Sequence, residues 1–326
     1  MRMVKLCLVL FLGLVLSAAM GWLEPAQGQG TAAAASLLIT PGARADAMGR
    51  AHSAVVNDAT ANWWNPAALG MMEDRIFSLM HTQLVPDLAD DVYYEYLGYA
   101  QHLKGWGGIG FNIIFLSYGT SPEVDDFGNP GDDFYSFEVS PGVSAGIRLV
   151  KDLYGGVSLK FVHVDLAPEG AGGIEGEGKG NTFAADLGLL YRPTNTPVSL
   201  SAVVQNLGPN IVFLSSDDSQ PIGRNLRLGL GLYLMETEDM GVLASFDFNK
   251  SLVYSNEKPI YNWGAEWAYR NVLALRAGYI HDKQGEIIDP TFGFGLAYHK
   301  FTFEYASVPQ AEGLDRVSKF SINYRF

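Results

Sequence analysis

Apolar residues alternate with small or polar residues along most of this 326-residue chain, from about residue 74 to the end. Between residues 224 and 234, leucine occupies each even position from Leu226 to Leu234, while Asn, Arg, Gly and Tyr fill the odd positions from 225 to 233. Because successive side chains of a strand point to opposite faces, a period of two predicts β-strands. We therefore predict that this part of the chain is all-β.

The linkers between the predicted strands alternate in length. Residues 85–91 form a long linker and 103–106 a short one, and this order persists to the C-terminus. An even number of antiparallel strands, with long loops at one rim and tight turns at the other, is typical of bacterial outer-membrane barrels. The pattern predicts a 14-stranded antiparallel transmembrane β-barrel over residues 74–326. The predicted strands are 74–84, 92–102, 107–117, 134–149, 153–166, 181–191, 198–206, 224–234, 240–249, 261–269, 272–280, 291–298, 300–307 and 318–326.

A large soluble β-sandwich is the alternative fold. Only 17% of the residues are charged, against about 25% in an ordinary soluble domain. The less apolar strand face is mainly Gly, Ala, Ser and Asn, whereas tyrosines lie near both ends of the apolar face, as in interfacial girdles. The last strand, 319–326, ends on Phe326 and resembles the C-terminal insertion signal of outer-membrane barrels. These features favour a barrel in the bacterial outer membrane.

The first residues read as a secretory signal peptide. Arg2 and Lys5 precede an apolar run from Leu6 to Leu16, and small residues follow, which predicts cleavage near residue 28. The single cysteine, Cys7, lies within this segment, so the mature chain is predicted to have no disulfide and no thiolate metal site. Residues 29–73, which lack the alternation, are predicted to form a helical or looped plug.

The formal net charge is −13, which argues against a nucleic-acid partner because phosphate binding depends on clustered Lys and Arg. If each strand's apolar face meets lipid, six acids and five bases point into the lumen. An unpaired buried charge is costly, so we predict that these groups are paired or hydrogen-bonded rather than forming a strongly selective ion channel. They are Glu95, Glu138, Asp186, Asp247, Glu266, Glu304, Arg148, Lys160, Arg227, Arg276 and Arg325.

The long loops carry most of the excess acid, with nineteen acidic and five basic residues. One interpretation is a solvated rim in which divalent cations bridge to lipopolysaccharide, and the other is a docking surface for a basic partner. Segment 125–133 is acidic but lacks the ligand spacing of an EF-hand calcium loop. The candidate partner-binding residues are Asp125, Asp126, Asp132, Asp133, Pro168, Glu169, Asp217 and Asp218.

Two glycine motifs match enzyme signatures. Gly105, Gly107 and Gly110 fit G-x-G-x-x-G, and Ser144 lies in a G-x-S-x-G match. Both signatures require a strand that leads into a helix, but here the first opens a strand and the second lies within one. The six histidines show no metal-site spacing. We therefore expect no enzyme activity, catalytic residue, metal or cofactor.

The segment ANWWNPAALG, residues 61–70, is the best-defined part of the predicted plug. Asn65 suits the cap of a short helix, Pro66 its first position and Gly70 its end. We expect Asn65, Pro66 and Ala67 to shape a plug in or across the mouth at the short-turn rim. Trp63 and Trp64 would then pack against the inner wall.

The run PGARADAMGRAHSAVVNDATANWWNPAALG, residues 41–70, closely resembles the N-terminal motif of the PorV/PorQ family. Its Asn-Pro-Ala element also recurs in the hatch of FadL-like transporters. Segments 160–170, 178–193, 203–211 and 221–232 resemble the PorV branch more than its relatives.

The resemblance implies a FadL-like barrel that acts in type IX secretion. Such proteins bind the C-terminal domain of secreted cargo and carry it from the translocon to the attachment complex at the cell surface. The expected partners are outer-membrane lipid and lipopolysaccharide, cargo C-terminal domains and other type IX components. Two alternatives stay open: a FadL-like transporter of hydrophobic compounds, and a structural barrel without traffic of its own.

Overall fold

The computed structural model describes residues 32–124, 130–168, 178–213, 219–254, 256–311 and 313–326. Of the sixteen strands in these residues, fourteen form one closed antiparallel barrel, in which the first strand pairs with the last. The predicted signal peptide lies outside the described residues. The strands are β1 (Arg75–Gln83), β2 (Val92–Leu103), β3 (Gly107–Val124), β4 (Pro130–Val150), β5 (Leu153–Asp165), β6 (Lys179–Tyr191), β7 (Val198–Leu207), β8 (Ile211–Val212), β9 (Ser219–Gln220), β10 (Asn225–Glu236), β11 (Met240–Ser251), β12 (Ile260–Tyr269), β13 (Leu273–Asp282), β14 (Ile287–Tyr298), β15 (Phe301–Val308) and β16 (Val317–Arg325).

The predicted 14-stranded barrel is confirmed, and every predicted strand overlaps an observed one. Strands β8 and β9, which form a separate two-stranded sheet in the 207–223 linker, were not predicted. The predicted loop 118–133 is wrong in part, because β3 and β4 remain paired there, as between Thr120 and Tyr135. Gly119 and Pro122 resemble turn residues, but each lies at a register shift of this hairpin, where a β-bulge accommodates it.

The N-terminal residues 32–73, called the plug below, fill the lumen of the barrel. Ala33 forms a parallel bridge to Ile222 at the long-loop end, and the plug leads into β1 at the short-turn rim. It contains two short α-helices, α1 (Ala43–Ala47) and α2 (Ala61–Trp64), and two 3-10 segments, Ala35–Leu37 and Pro66–Met71. The plug thus runs through the whole lumen rather than across one mouth. No helix of the described residues is long and apolar enough to cross a membrane.

Glycines on the inner wall let the plug approach the strands closely. A Cβ atom added at Gly156 would lie 2.3 Å from the Ala67 nitrogen, and one added at Gly278 would lie 2.0 Å from the Gly49 nitrogen. Real Cβ atoms do not come so close to backbone. The small residues of the inner strand face therefore pack against the plug backbone, and the largest buried cluster lies where plug and wall meet.

The outer wall is apolar, as a lipid-facing surface requires. Its exposed side chains include Leu159, Phe183, Phe292 and Phe320. The prediction that Glu95 faces the lumen is wrong: Glu95 points outward, 3.2 Å from the His81 ring nitrogen Nδ1. Strand β2 has tyrosines on both faces. Tyr94 and Tyr96 point inward onto the plug, whereas Tyr93 lies on the outer face beside His81. The apolar pattern of β2 therefore did not show which face points to the lumen.

Candidate functional site

Buried charges fix the plug to the barrel wall. The Arg44 guanidinium donates Nε–H to Glu266 at 2.8 Å, and Lys319 Nζ lies 2.6 Å from the Asp46 carboxylate. Asp247 on β11 accepts the backbone N–H groups of His52 and Ser53. Because each wall group meets a charge or a donor of the plug, the plug is held by polar contacts as well as by packing.

The luminal strand charges are paired or hydrogen-bonded, as predicted. Lys160 lies 2.8 Å from Asp186, with both side chains almost fully buried. Arg276 contacts Glu266 at 2.6 Å and Glu304 at 3.1 Å. Arg148 is instead exposed, whereas Arg325 lines a cavity near the short-turn mouth together with Glu266 and Glu304 and pairs with Asp74.

The remaining luminal acid, Glu138, also meets the plug. Its carboxylate accepts the backbone N–H groups of Ala35 and Ser36, and the hydroxyl of Tyr118 donates to it at 2.6 Å. Three donors thus satisfy the charge of Glu138 without a cation.

The Asn-Pro-Ala element lies at the contact between plug and wall. The Asn65 Oδ1 atom accepts the N–H of Ala67 at 3.0 Å, which caps the 3-10 segment that Pro66 begins. The Asn65 Nδ2 donates to the carbonyl oxygens of Ser53, within the plug, and Leu189, on β6. One side chain therefore joins two plug segments to the wall.

Two tryptophans and a histidine form the centre of the plug. Trp63 and Trp64 are buried edge to face, and Trp64 also contacts the ring of His52. The Arg227 guanidinium carbon from β10 lies 4.6 Å from the Trp64 ring centroid and 5.6 Å from that of Trp63, which is cation–π geometry. Burial, with the charge of Arg44 next in effect, lowers the pKa of His52 well below its ordinary value.

A cavity of about 710 Å³, called the vestibule below, opens above the plug at the long-loop end. Its deepest wall includes Trp63, Arg50 and Arg227. Seven amide side chains contribute to the rest of the lining: Gln205, Asn206, Asn225, Asn249, Asn256, Asn262 and Gln284. The vestibule therefore combines fixed donors and acceptors with apolar side chains that include Leu37, Leu38, Val253 and Ile260.

Several buried polar atoms of the vestibule lining have no hydrogen-bond partner among the described residues. They are the Nε atom of Arg227, the indole nitrogen of Trp63 and the Oδ1 atoms of Asn249 and Asn262. Buried polar atoms are normally paired, so such a concentration marks a site for a ligand or for water. The sequence analysis placed Arg227 in the lumen and Trp63 in the plug but did not single out Asn249 and Asn262, because the four residues come from the plug and from three different strands.

The structure places few of the acidic loop residues that the sequence singled out. Asp132 and Asp133 are exposed on the part of β4 that projects beyond its predicted start, and Pro168 is half-buried just after β5. The others, Asp125, Asp126, Glu169, Asp217 and Asp218, lie outside the described residues.

The two enzyme-like motifs lie within the barrel wall. Gly107 and Gly110 are in β3, and Ser144 is in β4, where its hydroxyl is buried 2.7 Å from that of Ser158. No group of three or more His, Cys, Asp or Glu residues in the described ranges could hold a metal ion.

A protein-family model described as "Type IX secretion system protein PorV" matches residues 25–258. The chain belongs to the PorV family. The match includes the plug and the strands from β1 to β11, and with them the Lys160–Asp186 and Arg227–Asp247 pairs. No curated protein matches this PorV-family chain.

Solved structures share the fold. The Pseudomonas putida toluene transporter TodX is 15% identical with a TM-score of 0.52, and the alignment covers 87% of this chain and 97% of that one. The Ralstonia pickettii toluene transporter TbuX is 16% identical with a TM-score of 0.53 over 87% and 97%. A Pseudomonas aeruginosa FadL homologue is 10% identical with a TM-score of 0.50 over 88% and 98%. This PorV-family barrel is therefore FadL-like in fold.

Proposed function

We propose that this barrel is an outer-membrane component of type IX secretion that binds the C-terminal domain of secreted cargo at its long-loop end and delivers it to the attachment machinery. Membership of the PorV family is the observation that carries this proposal. The protein acts by binding, and we assign it no enzymatic step.

The closed lumen supports a binding role. The plug is held by ion pairs from β12 and β16 and by backbone donors to β4 and β11. Passage of a solute would require these buried contacts to separate, and breaking one buried pair costs about 3–5 kcal/mol. A plug held by these contacts suits a protein that binds a partner at its surface better than a transporter whose plug must move.

The alternative function is transport of hydrophobic compounds, as the names of two structural neighbours state for those proteins. A pocket for such a compound is normally lined mainly by apolar and aromatic side chains. The vestibule also has apolar lining residues, but it carries seven amide side chains and several charged ones, more than the small number of polar groups usual in such a pocket. This difference favours secretion over uptake.

The test measures both functions on one preparation. Purified barrel is mixed with a cargo C-terminal domain from the same genome, and binding is followed by surface plasmon resonance. The double variant Asp132→Asn, Asp133→Asn removes two exposed acids of the β3–β4 hairpin, and we expect binding to weaken about threefold to tenfold with a smaller salt dependence. Exchange of Asp239, an exposed acid at the opposite rim, for Asn is the matched control.

Uptake is measured in parallel. Liposomes that contain the barrel are tested for entry of a hydrophobic solute such as toluene. We expect cargo binding without uptake. Uptake without binding of the cargo domain would overturn the proposal in favour of transport.

A further inference from the structure

The deepest part of the vestibule carries one positive charge in excess. Asp46 pairs with Lys319 at 2.6 Å and also with Arg50 at 3.2 Å, so one carboxylate faces two cations. Within the described part of the chain, Arg50 has no second acid within 4 Å. Its side chain is 25% exposed and lines the vestibule.

Five other charged groups line the vestibule: Arg224, Arg227, Glu257, Lys258 and Asp282. Arg224 donates to the Gly208 carbonyl oxygen and to Asn210 Oδ1, and Lys258 is exposed. Arg227 faces Asp247. The Asp282 carboxylate accepts the backbone N–H groups of Gln284 and Gly285 and thereby closes the β13–β14 turn. Arg50 is the cation of this lining that shares its carboxylate with a second, buried cation, Lys319, so it can pair with an incoming anion.

The backbone holds Arg50 in an unusual conformation. Its φ is +66°, in the left-handed region that disfavours residues with a Cβ. Such conformations persist where the surroundings impose them and often occur at functional sites. Here the conformation follows α1 and places the guanidinium at the bottom of the vestibule, while the Arg50 carbonyl oxygen accepts from Asn262.

The amide lining matches a peptide. An Asn or Gln side chain presents one acceptor and two donors in a plane, which can pair with the N–H and C=O of a peptide group. The Oδ1 atoms of Asn249 and Asn262 are buried acceptors without a partner in the described structure. The face of Trp63 is stacked with Arg227, so this indole offers no open platform for an aliphatic tail or a sugar ring.

We propose that the vestibule binds a peptide that ends in a carboxylate, with Arg50 pairing with the carboxylate and the amides pairing with the peptide groups behind it. The plug closes the vestibule below, so a chain that reaches Arg50 ends there or turns back. A volume of about 710 Å³ is within the range of pockets that hold one drug-sized ligand, which suits a single extended end rather than a hairpin. The inference rests on the proposed function, since the C-terminus of a cargo domain supplies this peptide.

The experiment compares two forms of one probe. A fluorescent octapeptide copies the last eight residues of a cargo C-terminal domain and is made as the free acid and as the C-terminal amide. Fluorescence anisotropy measures its binding to the purified full barrel. We expect the acid to bind about 10-fold to 100-fold more tightly than the amide, as for loss of one charge-assisted hydrogen-bonded contact.

Two variants locate the effect. Arg50→Gly removes the guanidinium at a position whose φ suits glycine, so the plug is expected to stay folded while the preference for the acid is lost. Arg316→Gln removes an exposed rim cation that contacts Ser307 and Pro290 outside the vestibule, and it should keep the preference. Equal binding of acid and amide, or an unchanged preference in Arg50→Gly, would overturn the inference.

Two further arms separate the sources of a carboxylate. Replacing Asp and Glu side chains of the probe by Asn and Gln should leave the preference intact, and its loss would assign the site to side-chain carboxylates instead. Oleate should not displace the probe, and displacement would assign the site to fatty acids. Binding of the whole cargo domain without any effect of C-terminal amidation overturns this inference alone, whereas no binding of that domain overturns the proposed function.

Discussion

Gly156 provides the sharpest test of how the plug is seated. In Gly156→Ala the new Cβ would lie 2.3 Å from the nitrogen of Ala67 and from the carbonyl carbon of Pro66. Ordinary contacts begin at 3.4 Å, so the plug or β5 must move by about 1 Å. Such overpacking costs about 1–3 kcal/mol, and stretching the hydrogen bond from Asn65 to Leu189 adds about 1 kcal/mol.

The assay uses the predicted absence of cysteine from the mature chain. Ala59 is fully buried in the plug, so Ala59→Cys reports opening of the plug through its rate of maleimide labelling. A loss of about 2 kcal/mol corresponds to roughly 30-fold faster labelling. We expect this acceleration in Gly156→Ala, together with a lower melting temperature.

Gly241→Ala is the matched control, because its Cβ would meet its nearest neighbour at 3.8 Å. This substitution should change the free energy of unfolding by less than about 0.5 kcal/mol. If Gly156→Ala labels and melts like Gly241→Ala, the plug does not rest against the wall as described, and the reasoning about a glycine-lined lumen is refuted.

Other changes probe single contacts of the plug and lumen. Lys160→Met leaves Asp186 buried without its cation and should lower the free energy of unfolding by about 3–5 kcal/mol, while the double exchange with Asp186→Leu should recover most of it in denaturant titrations. Asn65→Ala removes a cap, one hydrogen bond within the plug and one to the wall, and should cost about 2 kcal/mol, with Asn65→Asp in between because it keeps the capping acceptor; equal melting temperatures would contradict this. The lowered pKa of His52 means that the unfolded chain binds a proton more readily than the folded one, so stability should fall as pH decreases below about 6.5. His52→Phe should remove that part of the pH dependence, and an unchanged profile of melting temperature against pH would exclude His52 as its source.

The barrel could be predicted because its strands obey a local rule. A period of two depends only on neighbouring residues, as in the leucines of β10, and the alternation of linker length then specifies the topology. In β2 the alternation did not distinguish the luminal face from the lipid face, because tyrosines occur on both. The prediction that Glu95 faces the lumen was therefore wrong. The β3–β4 hairpin was underestimated because cross-strand pairing outweighed the turn preferences of Gly119 and Pro122.

The plug and the vestibule depend on contacts between residues far apart in the chain. Asn65 reads as a helix cap from its neighbours alone, but its contact with Leu189 joins residues 124 positions apart. Arg50 carries no sequence signal, since its role follows from the sharing of Asp46 with Lys319. The periodicity of the sequence does not predict these contacts, because the groups come together only when the barrel closes around the plug.

The course of the plug also constrains how the molecule assembles. Residues near Ala33 contact Ile222 at one end of the lumen, whereas the plug joins β1 at the other, so the chain is threaded along the barrel axis. If the barrel closed first, the plug would have to enter it end-on and pass the charged side chains that line the lumen. A simpler order is that the strands assemble around the N-terminal segment and that β1 pairs with β16 last. The plug then acts as a template for barrel closure.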